Sequence, residues 1–213
     1  MGNPDITAQP VVSLQGHGVL YHELFCGVAS SDWNAADDCI ISDARALERL
    51  LDAREDINKL RKAGHVFGVN VGFISAACNG ASFLHELART IRSGIIEITE
   101  HGEESMTADN VAMLVGFCAK ARSMGFRIVL DDVSMGYPLL QHETLRQIRP
   151  YAIKSIVTQS DLPLVASIAR DNDIALVIEN VENEHHEQIA RAHGNAAQGY
   201  RFGRPTQLNG LTT

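Results

Sequence analysis

The sequence predicts a mainly parallel (β/α)8 barrel of the TIM type. Apolar, β-branched runs alternate with segments of helical period along the chain, and most of the apolar runs end in a polar residue. Such alternation requires parallel strands joined by right-handed crossovers, and eight strand candidates favour a closed barrel over an open doubly wound sheet. No Gly-x-Gly-x-x-Gly turn follows an early strand, which disfavours a dinucleotide-binding fold.

The strand candidates are short runs rich in valine and isoleucine. In chain order they lie at 10–14, 18–26, 66–72, 95–99, 126–131, 152–157, 174–179 and 197–202. Several are bounded by glycine or by a polar residue, as expected where a buried strand meets a loop. This spacing leaves room for a helix in most of the intervals.

Helical periods fill those intervals. From Ser42 to Lys62 the apolar residues recur at i, i+3 and i+4, with Ser42 as the expected N-cap and Gly64 after the end. Further helices are predicted from Phe83 to Gly94, from Thr107 to Gly125, and at 140–148, 161–171 and 183–193. No linker-like tract interrupts the pattern, so we expect one domain over 1–213.

Composition excludes several classes of partner and location. The 213 residues carry a formal charge of -8, which disfavours nucleic acid or an anionic membrane as a partner. The four cysteines show no Cys-x-x-Cys spacing and are expected to be reduced thiols. The sequence contains neither a signal-peptide pattern nor an apolar run of bilayer length, so we expect a cytoplasmic protein.

The most informative stretch is the apolar run that ends in Asp131 and Asp132. Two adjacent carboxylates are costly to hold together without a cation or a hydrogen-bond network between them. Alone, such a pair is more simply explained as a cap after a strand. Asn70 and Glu97 end other strand candidates, and the carboxyl ends of barrel strands share one rim. Together these residues favour a metal site.

Six motifs in this order resemble those of the EAL domain family, bacterial phosphodiesterases that open cyclic di-GMP to linear pGpG. The motifs span nearly the whole chain and lie at Gln9–Val12, Val69–Val71, Glu97–Glu100, Gly125–Asp132, Ile178–Glu182 and Gln198–Pro205. Each is weak alone, whereas their shared order at predicted strand ends is specific. The resemblance implies a TIM-type barrel that uses two divalent metals to hydrolyse a phosphodiester.

The resemblance also implies roles for individual residues. The implied metal ligands are Asn70, Glu97 and Asp131, with Asp132 helping to hold a second ion. The implied catalytic groups, which orient and deprotonate water or support the ligands, are Lys154, Glu179 and Gln198. The implied substrate contacts are Gln9, Arg204 and Pro205. For Gln9 and Arg204 the alternative to substrate contact is a structural role at the barrel rim. The implied cofactor of an active enzyme is Mg2+ or Mn2+.

The signature that names the family is altered in this chain. Residues 21–26 read Tyr-His-Glu-Leu-Phe-Cys where the family has aromatic-Glu-Ala-Leu-Leu-Arg. Aligning Tyr21 and Leu24 places His22 at the metal-binding glutamate and Cys26 at the arginine that contacts a substrate phosphate. Because side chains alternate faces along a strand, we expect Glu23 to point away from the site. His22 and Cys26 would then mark a degenerate active site.

Three further departures concern neighbouring loops. Residues 133–136 replace a Phe-Gly-Thr-Gly loop, Ser155-Ile156 replaces Ile-Asp, and Asn180 replaces a glycine. We therefore expect a catalytically weak or inactive regulator of cyclic di-GMP signalling, which acts by sensing cyclic di-GMP or by contacting a regulatory protein, with or without bound metal. The alternative is an active metal-dependent phosphodiesterase giving pGpG. Formation of a homodimer is compatible with both alternatives.

Overall fold

Eight strands close into a barrel in the computed structural model, which describes residues 6–16, 18–27, 36–100 and 106–211. The strands are β1 Thr7–Ser13, β2 Val19–Phe25, β3 Phe67–Gly72, β4 Ile95–Thr99, β5 Arg127–Leu130, β6 Ala152–Ile156, β7 Ala175–Glu179, β8 Ala196–Gln198 and the short β9 Thr206–Gln207. Each predicted strand overlaps one of the first eight, and the predicted (β/α)8 fold is confirmed.

Closure of the barrel depends on β1, which pairs with both β2 and β8 and runs antiparallel to each. The strands from β2 to β8 pair in parallel in sequence order. The short β9 adds to β1 as a further antiparallel strand. The parallel strands therefore present their carboxyl ends, and β1 its amino end, at one mouth of the barrel.

Helices surround the barrel between the parallel strands. In the described residues they are α1 Ala36–Asp52, α2 Arg54–Lys62, α3 Phe73–Thr90, α4 Ala108–Ser123, α5 His142–Ile148, α6 Leu162–Asp171 and α7 Glu184–His193. The predicted start near Thr107 is confirmed, since its side chain accepts a hydrogen bond from the Asn110 N–H at 3.2 Å. No helix in these ranges is both long and apolar enough to cross a bilayer.

Two predicted helix boundaries are wrong. The segment from Ser42 to Lys62 forms two helices, and Ser42 lies buried inside α1 rather than at its N-cap. The neighbouring Asp43 is also buried, and it accepts a hydrogen bond from the Gly72 N–H at 2.9 Å. In addition, α3 begins at Phe73, directly after β3, because its first turns are apolar and pack into the core.

The apolar core has two parts. The larger lies between the barrel and the helices, and the smaller fills the barrel interior. The interior cluster consists of Val11, Tyr21, Ile95, Val129, Ala152, Val177 and Ala196, one from each of the strands β1 to β8 except β3. Since alternate residues of a strand face the same side, the residue two positions nearer the mouth also faces the interior. This alternation positions the candidate site.

Candidate active site

A layer of polar side chains lies directly above the apolar interior cluster. On each of the eight barrel strands, the residue two positions nearer the mouth than the interior residue is polar. On β3 that interior residue is Gly68. The polar residues are Gln9, Glu23, Asn70, Glu97, Asp131, Lys154, Glu179 and Gln198. Hydrogen bonds and ion pairs connect all eight of these side chains. The structure thus brings together seven of the predicted site residues, and Glu23 joins them.

The centre of this layer is Lys154, whose side chain is completely buried. Its Nζ lies 3.0 Å from Glu23 Oε2, 2.7 Å from Glu97 Oε2, 3.0 Å from Asp131 Oδ1 and 2.9 Å from Glu179 Oε1. One ammonium therefore faces four carboxylates contributed by four different strand ends. If all five groups are ionised, the cluster holds three uncompensated negative charges.

Amide side chains complete the surroundings of Glu23. Asn70 Nδ2 donates to Glu23 Oε1 at 2.6 Å, and Gln198 Nε2 donates to Glu23 Oε2 at 2.7 Å. Gln198 Nε2 also lies 3.3 Å from Gln9 Oε1, while Gln9 Nε2 donates to the Gly203 carbonyl at 3.0 Å. These bonds fix the Glu23 carboxylate and leave Asn70 Oδ1 and Gln198 Oε1 without a hydrogen bond from the described residues.

The prediction that Glu23 points away from the site is wrong. Its carboxylate lies in the cluster, whereas His22 lies on the opposite face of β2, with ring centroids 5.1 Å from His65 and 6.1 Å from Phe67. The alternation argument holds, but its register was off by one residue. Tyr21 belongs to the apolar interior, so the next inward residue is Glu23. His22 is consequently not placed to ligate a metal in this cluster.

The corrected register also changes which residue of this chain stands at the position of the family's arginine. With Glu23 aligned to the signature glutamate, Gly27 and not Cys26 stands where the family has arginine. Gly27 has a φ of +60°, a left-handed conformation that favours glycine over a long side chain. Cys26 still lines the cavity, and its carbonyl accepts a hydrogen bond from Arg49 Nη1. Burial raises the pKa of the Cys26 thiol to about 12, so the thiol stays protonated.

Gly68 of β3 is a site residue that the sequence argument missed. A Cβ on Gly68 would lie 2.6 Å from Glu97 Oε1 and 2.9 Å from Tyr21 Cε2, both closer than real Cβ contacts allow. Glycine at this point therefore makes room for the Glu97 carboxylate inside the barrel. The available signal was its place two residues before Asn70, which puts it on the interior face.

Burial and mutual repulsion raise the pKa values of three of the four carboxylates. Burial, followed by the charge of Glu23, raises the pKa of Glu97 to about 8. Burial is also the largest cause that raises the pKa values of Asp131 and Glu179. Lys154 counteracts the shift in each case without reversing it. Part of the cluster is thus expected to hold protons when no further cation is present.

Two groups of the cluster keep their charges. Burial acts to raise the pKa of Glu23, but the Lys154 charge and the two amide donors outweigh it and lower that pKa. Burial acts to lower the pKa of Lys154, yet the surrounding carboxylates, Asp131 foremost, raise it well above its ordinary value. Glu23 and Lys154 therefore form the ionised pair around which the other carboxyls titrate.

The donor atoms fit a hard divalent cation. Glu23, Glu97 and Asp131 each offer an oxygen, and these oxygens lie within 4.8 Å of one another. Within the described residues, four buried side-chain oxygens near them have neither a hydrogen bond nor an ion pair: Asn70 Oδ1, Glu97 Oε1, Glu179 Oε2 and Gln198 Oε1. An all-oxygen set with net negative charge suits Mg2+, Mn2+ or Ca2+ better than softer metals.

A cavity of about 760 Å³ opens at the cluster. Asp132 follows β5 with a φ of +50°, and it lines the cavity as an exposed residue rather than joining the buried layer. Of the other predicted substrate contacts, Gln9 and Pro205 line the cavity. Arg204 is absent from the described lining, and its guanidinium carbon lies 4.2 Å from the Tyr200 ring centroid.

The remaining departures from the family pattern have different structural consequences. Asn180, which stands where the family has glycine, has a φ of +56°. Asparagine tolerates this left-handed conformation better than most other residues do. Ile156 lines the cavity at the place of the missing carboxylate and makes that wall apolar. In the loop after the aspartate pair, the Met135 N–H donates to Asp161 Oδ2 at 2.6 Å.

A closed barrel whose strand ends carry carboxylates and amides around one lysine defines a TIM-type barrel protein with an oxygen-rich candidate metal site. The sequence profile of the EAL domain matches residues 3–205, and the chain belongs to the EAL domain family. The predicted family is therefore confirmed. No curated protein matches the sequence.

Solved structures share the fold. The PaMucR phosphodiesterase in its c-di-GMP complex is 21% identical with a TM-score of 0.77, over 97% of this chain and 93% of that one. The EAL domain of Mycobacterium smegmatis DcpA is 20% identical with a TM-score of 0.70, over 96% and 92%. Bacillus subtilis YkuI, in complex with substrate c-di-GMP and calcium, is 22% identical with a TM-score of 0.71, over 95% and 55%. At these identities the likeness concerns the fold.

Proposed function

We propose that this chain is a metal-dependent phosphodiesterase that hydrolyses cyclic di-GMP to pGpG. The observation that carries the proposal is the Glu23 carboxylate, which lies 3.0 Å from Lys154 within the oxygen cluster. The expectation of a weak or inactive regulator depended on two losses together, His22 in place of this carboxylate and Cys26 in place of the arginine that contacts a substrate phosphate. With Glu23 in the cluster, the chain retains an acidic side chain at every strand end where the family resemblance implies one, except at Ile156.

The residues that would hold the metal are those with suitably placed oxygens. Glu23, Asn70, Glu97 and Asp131 surround one place, and Asp132 lines the adjoining cavity where a second ion would lie. When bound, a divalent cation such as Mg2+ or Mn2+ supplies charge neutralisation for the phosphodiester and acidifies water. It would also relieve the repulsion among the carboxylates and lower the raised pKa of Glu97.

The chain's own groups supply orientation and proton transfer. Glu179 lines the cavity with Oε1 held at 2.9 Å from Lys154, while Oε2 accepts no hydrogen bond from the described residues. Burial raises the pKa of Glu179 above its ordinary value, which makes the carboxylate a stronger base toward water. Gln198 Oε1 is likewise available to accept a hydrogen bond and to fix that water. Lys154 orients the carboxylates as a fixed internal charge.

The cavity has the size and lining for a dinucleotide. Its volume of about 760 Å³ lies within the usual range for small-ligand sites. Gln9 and Pro205 line it near the cluster and remain proposed substrate contacts, whereas Arg204 would act through Tyr200. The phosphodiester would lie over the carboxylate layer, and the bases would extend toward the rim.

One observation favours a second candidate, a regulator that binds cyclic di-GMP without hydrolysing it. Every lysine and arginine of the sequence lies within the described ranges, yet none lines the cavity wall above the buried Lys154. An anionic ligand would then depend on the metal for charge compensation. Gly27, at the place of the family's arginine, is the specific change behind this candidate. Such a regulator would act through a protein partner or as a homodimer.

The test is hydrolysis of cyclic di-GMP by the purified chain with Mg2+, Mn2+, Ca2+ or EDTA, with pGpG followed by chromatography. We expect metal-dependent pGpG formation that Glu23→Gln lowers by more than about 10–100-fold, because a metal ligand is lost. The matched control is His22→Gln, which alters the neighbouring residue on the outer face and should retain activity. Binding without product in every metal would establish the regulator instead, and absence of binding would refute both candidates.

A further inference from the structure

A groove between α2 and the end of α3 concentrates positive charge on an otherwise acidic chain. This basic groove has a volume of about 460 Å³ and is lined by Arg54, Glu55, Asn58, Lys59, Lys62, Arg89 and Arg92. Five cations against one carboxylate give the lining a net charge of +4, whereas the whole chain carries -8. We propose that the basic groove docks an acidic segment of a partner protein. The inference goes beyond the proposed function and does not depend on it.

Hydrogen bonds organise the two walls of the groove. Arg54, Asn58 and Lys62 recur every four residues, so they share one face of α2 over a length of about 12 Å. Arg61 Nη1 donates to Asn58 Oδ1 at 3.2 Å, and Arg61 Nη2 donates to the Arg92 carbonyl at 3.1 Å. Arg61 thereby ties α2 to the segment after α3 and engages the Asn58 oxygen. The groove therefore presents mainly hydrogen-bond donors to a ligand.

The charges in the groove are not all neutralised by the protein itself. Lys59 and Arg89 pair with carboxylates of their own helices at 3.1 and 2.9 Å. Within the described residues, the side chains of Arg54, Lys62 and Arg92 form neither an ion pair nor a hydrogen bond. The helix dipole favours cations in a last turn, as for Lys62, but disfavours Arg54 at the first residue of α2. An anionic partner accounts for Arg54.

The shape and lining of the groove favour a protein segment over other anions. Small-molecule sites are mostly apolar and enclose their ligand, whereas this groove is polar and its five cations are exposed. Four extended residues span about 13 Å, which matches the donor face of α2, and clusters of arginine commonly bind acidic segments. A flat anionic membrane would also meet Asp56 and Glu86 beside the groove, and these carboxylates would repel it.

The groove lies away from the candidate active site. Helix α3 begins directly after β3 at the barrel mouth and ends before β4 begins, at the opposite end of the barrel. Arg89 and Arg92 lie at that end of α3, and none of the residues of the basic groove lines the cavity. A docked partner would therefore leave the mouth accessible to cyclic di-GMP.

The experiment measures binding of fluorescein-labelled hexaglutamate to the full chain by fluorescence anisotropy. EDTA is present so that no metal links the peptide to the barrel carboxylates. We expect binding that weakens between about 50 and about 300 mM salt, because the groove is exposed. Arg54→Glu combined with Arg92→Glu should weaken binding at least about 10-fold, and the corresponding pair of glutamine substitutions by a smaller factor.

The matched control is Lys120→Glu combined with Arg170→Glu. It makes the same change in net charge at exposed cations in the last turns of α4 and α6, outside the groove. We expect its affinity for hexaglutamate to stay within about 2-fold of the unaltered chain. Equal losses in the two glutamate double variants would show that net charge, and not the groove, binds the peptide.

Three further outcomes would also overturn the proposal. The first is no binding of hexaglutamate by the unaltered chain at about 1 mM and low salt. The second is tighter binding of tripolyphosphate that the Arg54→Glu and Arg92→Glu pair abolishes, which would assign the groove to a small polyanion. The third is the same result with vesicles of phosphatidylserine and phosphatidylcholine, which would assign the groove to a membrane. In each case the proposed hydrolysis of cyclic di-GMP would be unaffected.

Discussion

Glu23 and Lys154 are separated by 131 residues in the chain and lie 3.0 Å apart in the barrel. Each faces the interior because it lies two residues beyond an apolar interior residue, Tyr21 in one case and Ala152 in the other. The pair lies at the centre of the site, since three further carboxylates approach the same ammonium. The energetics of the cluster therefore depend on the lysine.

Removal of the lysine charge should destabilise the metal-free protein. In Lys154→Met four buried carboxylates lose their internal cation, and breaking a buried ion pair on one side typically costs about 3–5 kcal/mol. We expect urea denaturation at neutral pH to show a loss of that order, which Mg2+ or Mn2+ partly restores. Lys120→Met, on the exposed side of α4, serves as the control and should change stability little. A loss that metal does not restore would contradict the metal site.

The stability of the metal-free protein should fall as pH rises. Burial and the charge of Glu23 raise the pKa of Glu97 from 4.5 to about 8, so the folded state retains a proton that the unfolded state releases. The contribution is fully present below about pH 4.5 and is lost as pH approaches 8. The lowered pKa of Glu23 acts in the opposite sense, but only below its ordinary value of 4.5.

Melting temperatures between pH 5 and pH 9, with EDTA and with Mg2+, measure this effect. We expect the decline in EDTA to flatten in Glu97→Gln, which cannot titrate, and to flatten when metal is bound. The raised pKa values of Asp131 and Glu179 should leave a residual slope in the variant. A melting temperature that does not fall with pH in EDTA would contradict the prediction, since it would show that Glu97 is already ionised at pH 5.

Much of the barrel and of its polar rim was predictable from the sequence, because both follow from a two-residue period at strand ends. Asn70, Glu97 and Lys154 were found because each ends an unambiguous apolar run. Glu23 was missed because the signature offered two acceptable registers that differ by one residue. The choice depends on whether Tyr21 packs inside the barrel, which is a tertiary contact.

Two other features were hidden for physical reasons. Gly68 contributes by lacking a side chain, so no chemistry in the sequence marks it, and only the approach of Glu97 Oε1 shows its purpose. The end of β8 was predicted at 202 but lies at Gln198, because the following residues form the turn that carries Tyr200. Apolar and aromatic residues in that turn resembled a continued strand.

Gly68→Ala should impair the site although the substitution adds only one methyl group. The added Cβ would lie 2.6 Å from Glu97 Oε1, so the carboxylate or Tyr21 must move, and overpacking of this kind typically costs about 1–3 kcal/mol. We expect weaker Mn2+ binding in calorimetry and a fall in any pGpG formation of at least about 10-fold. Gly116→Ala, where a Cβ meets nothing within 4 Å, is the control. Identical metal affinity in both variants would show that Gly68 does not shape the site.

The final prediction concerns His22, whose replacement by glutamate should not create or restore catalysis. His22 is buried on the outer face of β2 beside Phe67, and burial, followed by the charge of His65, lowers its pKa, so the imidazole is expected to be neutral. His22→Glu would place a carboxylate among these apolar and imidazole groups, away from Lys154. The expected result is a lower melting temperature with unchanged Mn2+ affinity, whereas His22→Phe should be tolerated. Because Glu23 already lies in the cluster, a gain in hydrolysis or metal binding in His22→Glu would contradict the register seen here.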